Sequence, residues 1–263
     1  MNRNGINKRK KVVALVGLAM IMLMFVISIM PLFAQEEEGG EGDKVASKEG
    51  KKSMFELFKE TGPVGLIILA CSITGTALTI QYAVNMTEEK LFPQQLVSQT
   101  EELLAAQEID EAYQLCSANK NYFCNIMAGA LERAFGGYEE VRAGLAETSA
   151  SEKFKLDAKI NVLSLIGNLG PLIGLLGTVT GMIASFQVIA TLKNPTPKDL
   201  ATGVYEALVN TTMGLFVAIV FLTATFILKN KVSSLTLKIN TTATDIVART
   251  ISPEAKKAAQ EAQ

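Results

Sequence analysis

Long apolar runs alternate with charged segments along the chain, and this pattern predicts an all-α integral membrane protein. Four runs stand out, at residues 12–29, 63–85, 162–190 and 201–228. About 20 apolar residues in a helix cross the hydrocarbon core of a bilayer, so the last three runs are long enough to span it. Glu206 carries the only charged side chain in these three runs. We therefore expect three transmembrane helices.

The first apolar run has the features of a secretory signal. It follows a cluster of lysines and arginines and is followed by the sequence PLFAQEEEGG. This order of basic, apolar and small residues predicts a signal peptide at 1–34 that is cleaved after Ala34, with an uncleaved anchor as the alternative. An acidic periplasmic linker at 35–52 and an interfacial helix at 53–62 are expected to follow.

The predicted spans set a topology in which the N-terminus of the mature chain is periplasmic. Lysines lie on the predicted inner side of the last two spans, as the positive-inside rule requires, but Lys51, Lys52 and Lys59 lie on the predicted outer side. One helix is expected to run from Tyr138 to about Ala190. The predicted segments are a first transmembrane helix at 63–86, a helical cytoplasmic region at 87–161, a second transmembrane helix at 162–190, a periplasmic loop at 191–200, a third transmembrane helix at 201–228 and a cytoplasmic tail at 229–263.

Composition narrows the chemistry that the chain can carry. The formal charge is −1, which favours neither nucleic acid nor a polyanion as a partner. The chain has no histidine, and its three cysteines lack the spacing of metal ligands. An intramembrane hydrolase built on Ser164 or Ser185 is the enzymatic alternative, but the usual base is missing and no lysine lies in a span. We expect no enzyme activity, no cofactor and no metal.

Glycines form a regular stripe in the second span. The sequence GNLGPLIGLLGTVTG spaces them three and four residues apart, and hence on one face of a helix. In lipid, small residues let two backbones approach closely and gain van der Waals contact. The predicted helix-packing face consists of five glycines of the second span and one of the third. They are Gly167, Gly170, Gly174, Gly177 and Gly181, together with Gly214.

Polar side chains lie beside small residues in both final spans. Measured from the predicted outer ends, Thr178 and Thr211 are about 18 Å and about 15 Å deep, which places them at nearly the same level. Glu206 is about 8 Å deep, where a carboxylate is costly unless it faces protein or water. We expect an ion pathway that also includes Asn210 and Thr212. The structural alternatives are bonds from each threonine to its own helix and pairing of the carboxylate with a lysine or with headgroups.

The last two spans carry a family resemblance. The run NLGPLIGLLGTVTGMIASF, followed by a short loop and GVYEALVNTTMGLFVAI, resembles the MotA/TolQ/ExbB proton channel family, in its ExbB/TolQ branch. Thr178 matches the threonine of the family's GTV motif, Thr211 the threonine of its third span and Glu206 the glutamate of its EAL motif. Asn210 and Thr212 stand where small apolar residues are more common, which makes the lining more polar and leaves proton and sodium both open.

The resemblance implies a stator subunit of the bacterial inner membrane. It implies a pentamer of this chain that holds ExbD/TolR-like single-span partners, whose aspartate takes up the proton, and a TonB-like force transmitter. A TolQ-like envelope-maintenance motor, a gliding motor and a passive scaffold are the alternatives. The residues also require such a partner, because no carboxylate of this chain lies at the depth of the threonines.

Overall fold

The computed structural model describes residues 62–192, 194 and 196–251, without the side chains of residues 198, 199 and 202. The predicted signal peptide, acidic linker and nearly all of the interfacial helix lie outside this part of the chain. The helices are α1 (Gly62–Asn85), α2 (Glu88–Leu91), α3 (Gln94–Ala105), α4 (Ile109–Ala118), α5 (Tyr122–Leu131), a 3-10 turn (Ala134–Gly136), α6 (Tyr138–Thr191) and α7 (Pro197–Ile251).

The predicted fold class is confirmed. All regular structure in the described residues is helical, and α1, α6 and α7 are the three helices long and apolar enough to cross a membrane. The chain is therefore a multi-pass membrane protein. Helix α6 begins at Tyr138, after Gly137 with a positive φ of 88°, a conformation that glycine adopts without strain. Helix α7 begins at Pro197, before the predicted start of the third span, and continues past its predicted end at residue 228.

The described residues form two compact units, and we call the first the membrane unit. It contains residues 62–81 and 162–225. Its helices expose large apolar side chains, among them Leu66 and Leu172, as lipid-facing or subunit-facing helices do. Small residues make the internal contacts. A Cβ added at Gly75 of α1 lies 2.6 Å from the Phe221 ring of α7, so no larger residue fits there without movement.

The second unit, here called the extramembrane unit, contains residues 82–161 and 226–251. Helix α5 supplies the centre of its core, since Phe123, Ile126 and Met127 are fully buried. The Asn121 side chain caps this helix by accepting a hydrogen bond of 2.9 Å from the Cys124 main-chain N–H. Such a cap satisfies one of the donors that a helix start leaves unpaired.

Polar contacts tie the extramembrane unit together as well. The Tyr122 hydroxyl lies 3.1 Å from the Oδ1 of Asn240, to which it donates, and 3.3 Å from the hydroxyl of Ser149. This buried group joins α5, α6 and α7. At the surface, Lys238 pairs with Glu88 at 2.8 Å.

Candidate functional site

The glycine stripe of α6 packs directly on α7 of the same chain. A Cβ at Gly174 lies 3.0 Å from the Thr211 Cα, and one at Gly177 lies 2.6 Å from the Asn210 Cβ. These distances are shorter than ordinary van der Waals contact, so a larger residue pushes the helices apart. The glycines therefore serve close contact between two helices of the same chain.

The same pattern continues along the whole stripe. A Cβ at Gly170 lies 2.7 Å from the Gly214 carbonyl oxygen, and one at Gly181 lies 3.0 Å from the Ala207 Cβ. At the N-terminal end of the stripe, a Cβ at Gly167 meets the Leu222 side chain at 2.9 Å. Every glycine of the predicted packing face thus lies at the α6–α7 contact.

Thr178 and Thr211 use their hydroxyls differently. Thr178 donates to the Leu175 carbonyl of its own helix at 2.7 Å, the local bond that threonine commonly makes in membrane helices. Thr211 donates across the contact to the Gly174 carbonyl of α6 at 3.1 Å. Both side chains are half-buried. One hydroxyl therefore links two helices, and the other is satisfied within one turn.

The contacts between α6 and α7 fix the relative level of the two threonines. Thr211 lies opposite Gly174, and Thr178 is four residues further along α6. Four residues correspond to about 6 Å along a helix. The neighbouring contact of Gly177 with Asn210 gives a smaller offset of about two residues, or about 3 Å. The two threonines therefore lie within about one turn of each other.

The remaining predicted pathway residues surround this contact on α7. Asn210 is buried against Gly177, whereas Thr212 is exposed and donates to the Leu208 carbonyl at 2.9 Å. Glu206 is half-buried, one residue before Ala207, which packs on Gly181. The structure thus places Asn210 inside the subunit and Thr212 on its surface.

Two further polar side chains of the membrane unit, Ser185 and Thr225, lie outside the predicted ion pathway. A Cβ at Gly203 collides with the Ser185 hydroxyl, which donates to the Gly181 carbonyl at 3.0 Å. Thr225 is buried, and its hydroxyl has no hydrogen-bond partner among the described residues. A hydrophobicity pattern does not report either feature, because threonine and serine occur at many positions in these helices.

The chemistry of this site is hydrogen bonding rather than proton uptake. Hydroxyls and a carboxamide do not titrate near neutral pH, and Glu206 is the only charged residue in 162–190 and 201–225. Among the described residues, no group of three or more metal-ligating side chains forms. The hydroxyls and the carboxamide can hydrate or orient a charge, and Glu206 supplies the one carboxylate in these segments.

The part of the chain that contains these polar and glycine residues of α6 and α7 matches a known protein family. Residues 119–241 match the MotA/TolQ/ExbB proton channel family. The match includes the GTV and EAL motifs on α6 and α7, and it confirms the resemblance noted in the sequence.

Individual relatives carry both ExbB and TolQ names. TolQ, a Tol-Pal system protein of Pseudomonas aeruginosa, is 38% identical over 81 residues, which cover 31% of this chain and 35% of TolQ. An ExbB homologue from Methanothermobacter thermautotrophicus is 27% identical over 172 residues, or 65% of this chain and 61% of the relative. ExbB of Xanthomonas campestris is 31% identical over 118 residues, covering 45% and 47%. The alignments thus span less than two thirds of each relative.

A solved structure shares the fold over a longer range. The structure of C. jejuni MotAB superposes with a TM-score of 0.54 over 92% of this chain and 89% of the other. The two sequences are 15% identical. This likeness supports the helical architecture and says nothing further about activity.

Proposed function

Since residues 119–241 place this chain in the MotA/TolQ/ExbB proton channel family, we propose that it is an ion-conducting stator subunit of the bacterial inner membrane. In this proposal, it works with an ExbD/TolR-like single-span partner that supplies a titrating aspartate. Together they convert the proton motive force into mechanical work, which a TonB-like protein delivers to outer-membrane transport.

The observation that carries the proposal is the Thr211–Gly174 bond beside Thr178. It places hydroxyls on two apolar helices that have no charge at that level. In hydrocarbon, polar groups of this kind are costly unless they meet protein, water or a translocated ion. A partner carboxylate beside these hydroxyls gains a hydrogen-bond donor when a hydroxyl turns away from its present acceptor, the Leu175 carbonyl for Thr178 or the Gly174 carbonyl for Thr211.

A second feature supports assembly into a ring around such a partner. Helix α7 exposes a row of apolar residues at alternating spacings of three and four, which is the spacing of a coiled-coil seam. Thr212 interrupts the row with one exposed hydroxyl. The apolar members are Tyr205, Leu208, Leu215, Ile219, Leu222 and Phe226. A seam that includes a hydroxyl suits contact with the helix of a partner, and we propose a pentamer of this chain around it.

The proposed orientation places the extramembrane unit in the cytoplasm. Lysines 153, 155 and 159 before the second span, and 229, 231 and 238 after the third, are on that side. A cysteine introduced at exposed Glu147 is then labelled by an impermeant maleimide only after the inner membrane is opened. Labelling in intact spheroplasts contradicts this orientation.

The decisive experiment is purification and reconstitution. The chain is co-expressed with a candidate single-span partner chosen from among the neighbouring genes, and native mass spectrometry measures the mass of the complex. Proton and sodium gradients are then imposed separately on proteoliposomes. We expect a complex with five copies of this chain and ion flux that stops when the partner's membrane aspartate is changed to asparagine. A chain that purifies without a single-span partner, or flux that ignores this aspartate, contradicts the proposal.

A TolQ-like function is the second candidate, because TolQ shares 38% identity over the 81 aligned residues. Deletion of the gene distinguishes the TonB-type function from the Tol-type function. Loss of growth on a substrate that needs energised outer-membrane uptake supports the TonB-type function. Detergent sensitivity and periplasmic leakage with normal uptake support the Tol-type function instead.

A further inference from the structure

A groove lies on the surface of the extramembrane unit, between α3 and α4. Its volume is about 480 Å³, and it is lined by Gln99, Glu102, Leu103, Ala106, Glu108 and Leu115. The two leucines are half-buried, whereas the alanine and both glutamates are exposed. Neither glutamate forms an ion pair with another described residue. The groove thus combines apolar side chains with two exposed carboxylates.

Helix α7 ends beside this groove. Gln107, which lies between Ala106 and Glu108 in the sequence, donates from its side-chain amide to the Thr250 carbonyl at 3.0 Å. That carbonyl is among the last four of α7, which have no partner within the helix. Gln107 has a positive φ of 64°, a conformation that residues other than glycine rarely adopt. The α3–α4 turn therefore caps α7, and the chain leaves this helix at one end of the groove.

The sequence after α7 predicts a change of direction and a new short helix. Residues 252–263, here called the C-terminal segment, have the sequence SPEAKKAAQEAQ and lie outside the described part of the chain. Pro253 has no N–H for the next hydrogen bond of α7, and it disfavours helical backbone at Ser252. Serine followed by proline and glutamate is also a favoured start of a helix. The segment is thus predicted to begin its own helix at Pro253.

The predicted helix has one face of small apolar side chains. At helical spacing, this face consists of the alanines at 255, 258, 259 and 262. Lys256 lies at one edge of the face, and the glutamates at 254 and 261 lie at the other edge. Lys257 lies on the side opposite the alanines. The face is therefore suited to a shallow apolar groove that has acidic groups along its rim.

We propose that the C-terminal segment packs its alanine face into the α3–α4 groove of the same chain. Ten helical residues extend about 15 Å, and the groove residues of α3 span about 10 Å, so the segment is long enough to cover them. Residues 94–118 contain five acidic side chains and no basic one, which attracts Lys256 to the carboxylates of Glu102 and Glu108. The contact ties α3 and α4 to α7 at a second point besides the Gln107–Thr250 bond.

A carbodiimide cross-link tests the proposed contact. The reagent joins a lysine amine to a carboxylate where the two groups touch, with loss of water. The purified full chain is treated, the single-chain band is cut from a denaturing gel, and its peptides are identified by mass spectrometry. We expect an amide bond between Lys256 and Glu102 or Glu108, and none from Lys257 to either glutamate.

Two charge reversals measure the effect of the contact on the groove helices. Lys256→Glu replaces attraction by repulsion, so amide hydrogen exchange in residues 99–115 should become about threefold faster than in the wild type. Lys257→Glu is the matched control and should leave exchange in these residues unchanged.

Three outcomes overturn the proposal. One is the absence of a cross-link from Lys256 to the groove in the single-chain band of the wild type. Another is the same cross-link found only between two chains, which assigns the groove to a second copy. The third is equal exchange in the two charge-reversal variants. The wild-type cross-link decides the matter even if a variant fails to fold.

Discussion

The Thr211 hydroxyl of α7 donates to the Gly174 carbonyl of α6, and a Cβ at Gly174 would lie 3.0 Å from the Thr211 Cα. The hydrogen bond depends on the absence of a side chain at Gly174. Only glycine lets the α7 backbone come close enough for the short threonine hydroxyl to reach the α6 carbonyl. This contact joins the packing of the two spans to the polar chemistry proposed for them.

Valine substitutions at Thr211 and Thr178 should differ in their effect on the stability of the protein, but both should lower ion flux. Valine keeps the shape of threonine and removes its hydrogen bond. Thr211→Val should lower the free energy of unfolding by about 1 kcal/mol, since it loses a bond between helices. Thr178→Val should change it little. Both variants should lower ion flux at least tenfold in proteoliposomes with the partner. Wild-type flux in both variants leaves packing as the only role of these residues.

Gly174→Leu should disrupt the subunit itself. The new side chain has to occupy space held by the Asn210 and Thr211 backbone, and overpacking of this kind costs about 3 kcal/mol or more. Ala184→Leu is the matched control, because Ala184 is exposed on the same helix within the chain. Thermal unfolding in detergent measures the stability of both variants. Equal melting temperatures of the two variants contradict the close contact described here.

Glu206→Gln tests the charge near the N-terminal end of α7. The amide keeps the size of the side chain and removes its charge, so we expect the complex to assemble normally. Ion flux should fall about tenfold, because a carboxylate that faces water in a span attracts and orders cations. Native mass spectrometry checks assembly and a pH-sensitive dye checks flux. Normal flux assigns the residue a structural role.

Thr225→Val should stabilise the protein, in contrast to Thr211→Val. The buried Thr225 hydroxyl has no partner among the described residues, and an unsatisfied buried hydroxyl costs about 1–3 kcal/mol. Its removal should raise the free energy of unfolding by about 1 kcal/mol. Melting of the two valine variants in the same detergent gives the comparison. A lower melting temperature for Thr225→Val shows that the hydroxyl has a partner in the membrane.

Tyr122 should make stability depend on alkaline pH. Burial raises its pKa above the ordinary value of 10.0, so the folded chain keeps the proton at a pH where the unfolded chain loses it. The favourable contribution is complete below about pH 10 and declines as the pH rises through the folded pKa. Unfolding titrations should show this decline in wild type and in Tyr113→Phe. Tyr122→Phe should lack part of it, and an unchanged slope in that variant argues against this account.

Periodicity was sufficient to predict the spans and the glycine face, because both follow from spacing alone. It also predicted a helix beginning near Tyr138. It could not predict the register between α6 and α7. That register depends on which glycine of α6 meets which residue of α7, and no pattern within one helix reports a neighbour.

The close contact between Gly75 of α1 and the Phe221 ring of α7 has a consequence for synthesis of the protein. Phe221 is translated on the order of 10 s after Gly75, at about 5–20 residues per second. During that interval, α1 enters the membrane before the ring that packs against Gly75 exists. A nascent chain that stalls before the third span therefore lacks the aromatic ring against which Gly75 packs in the complete fold.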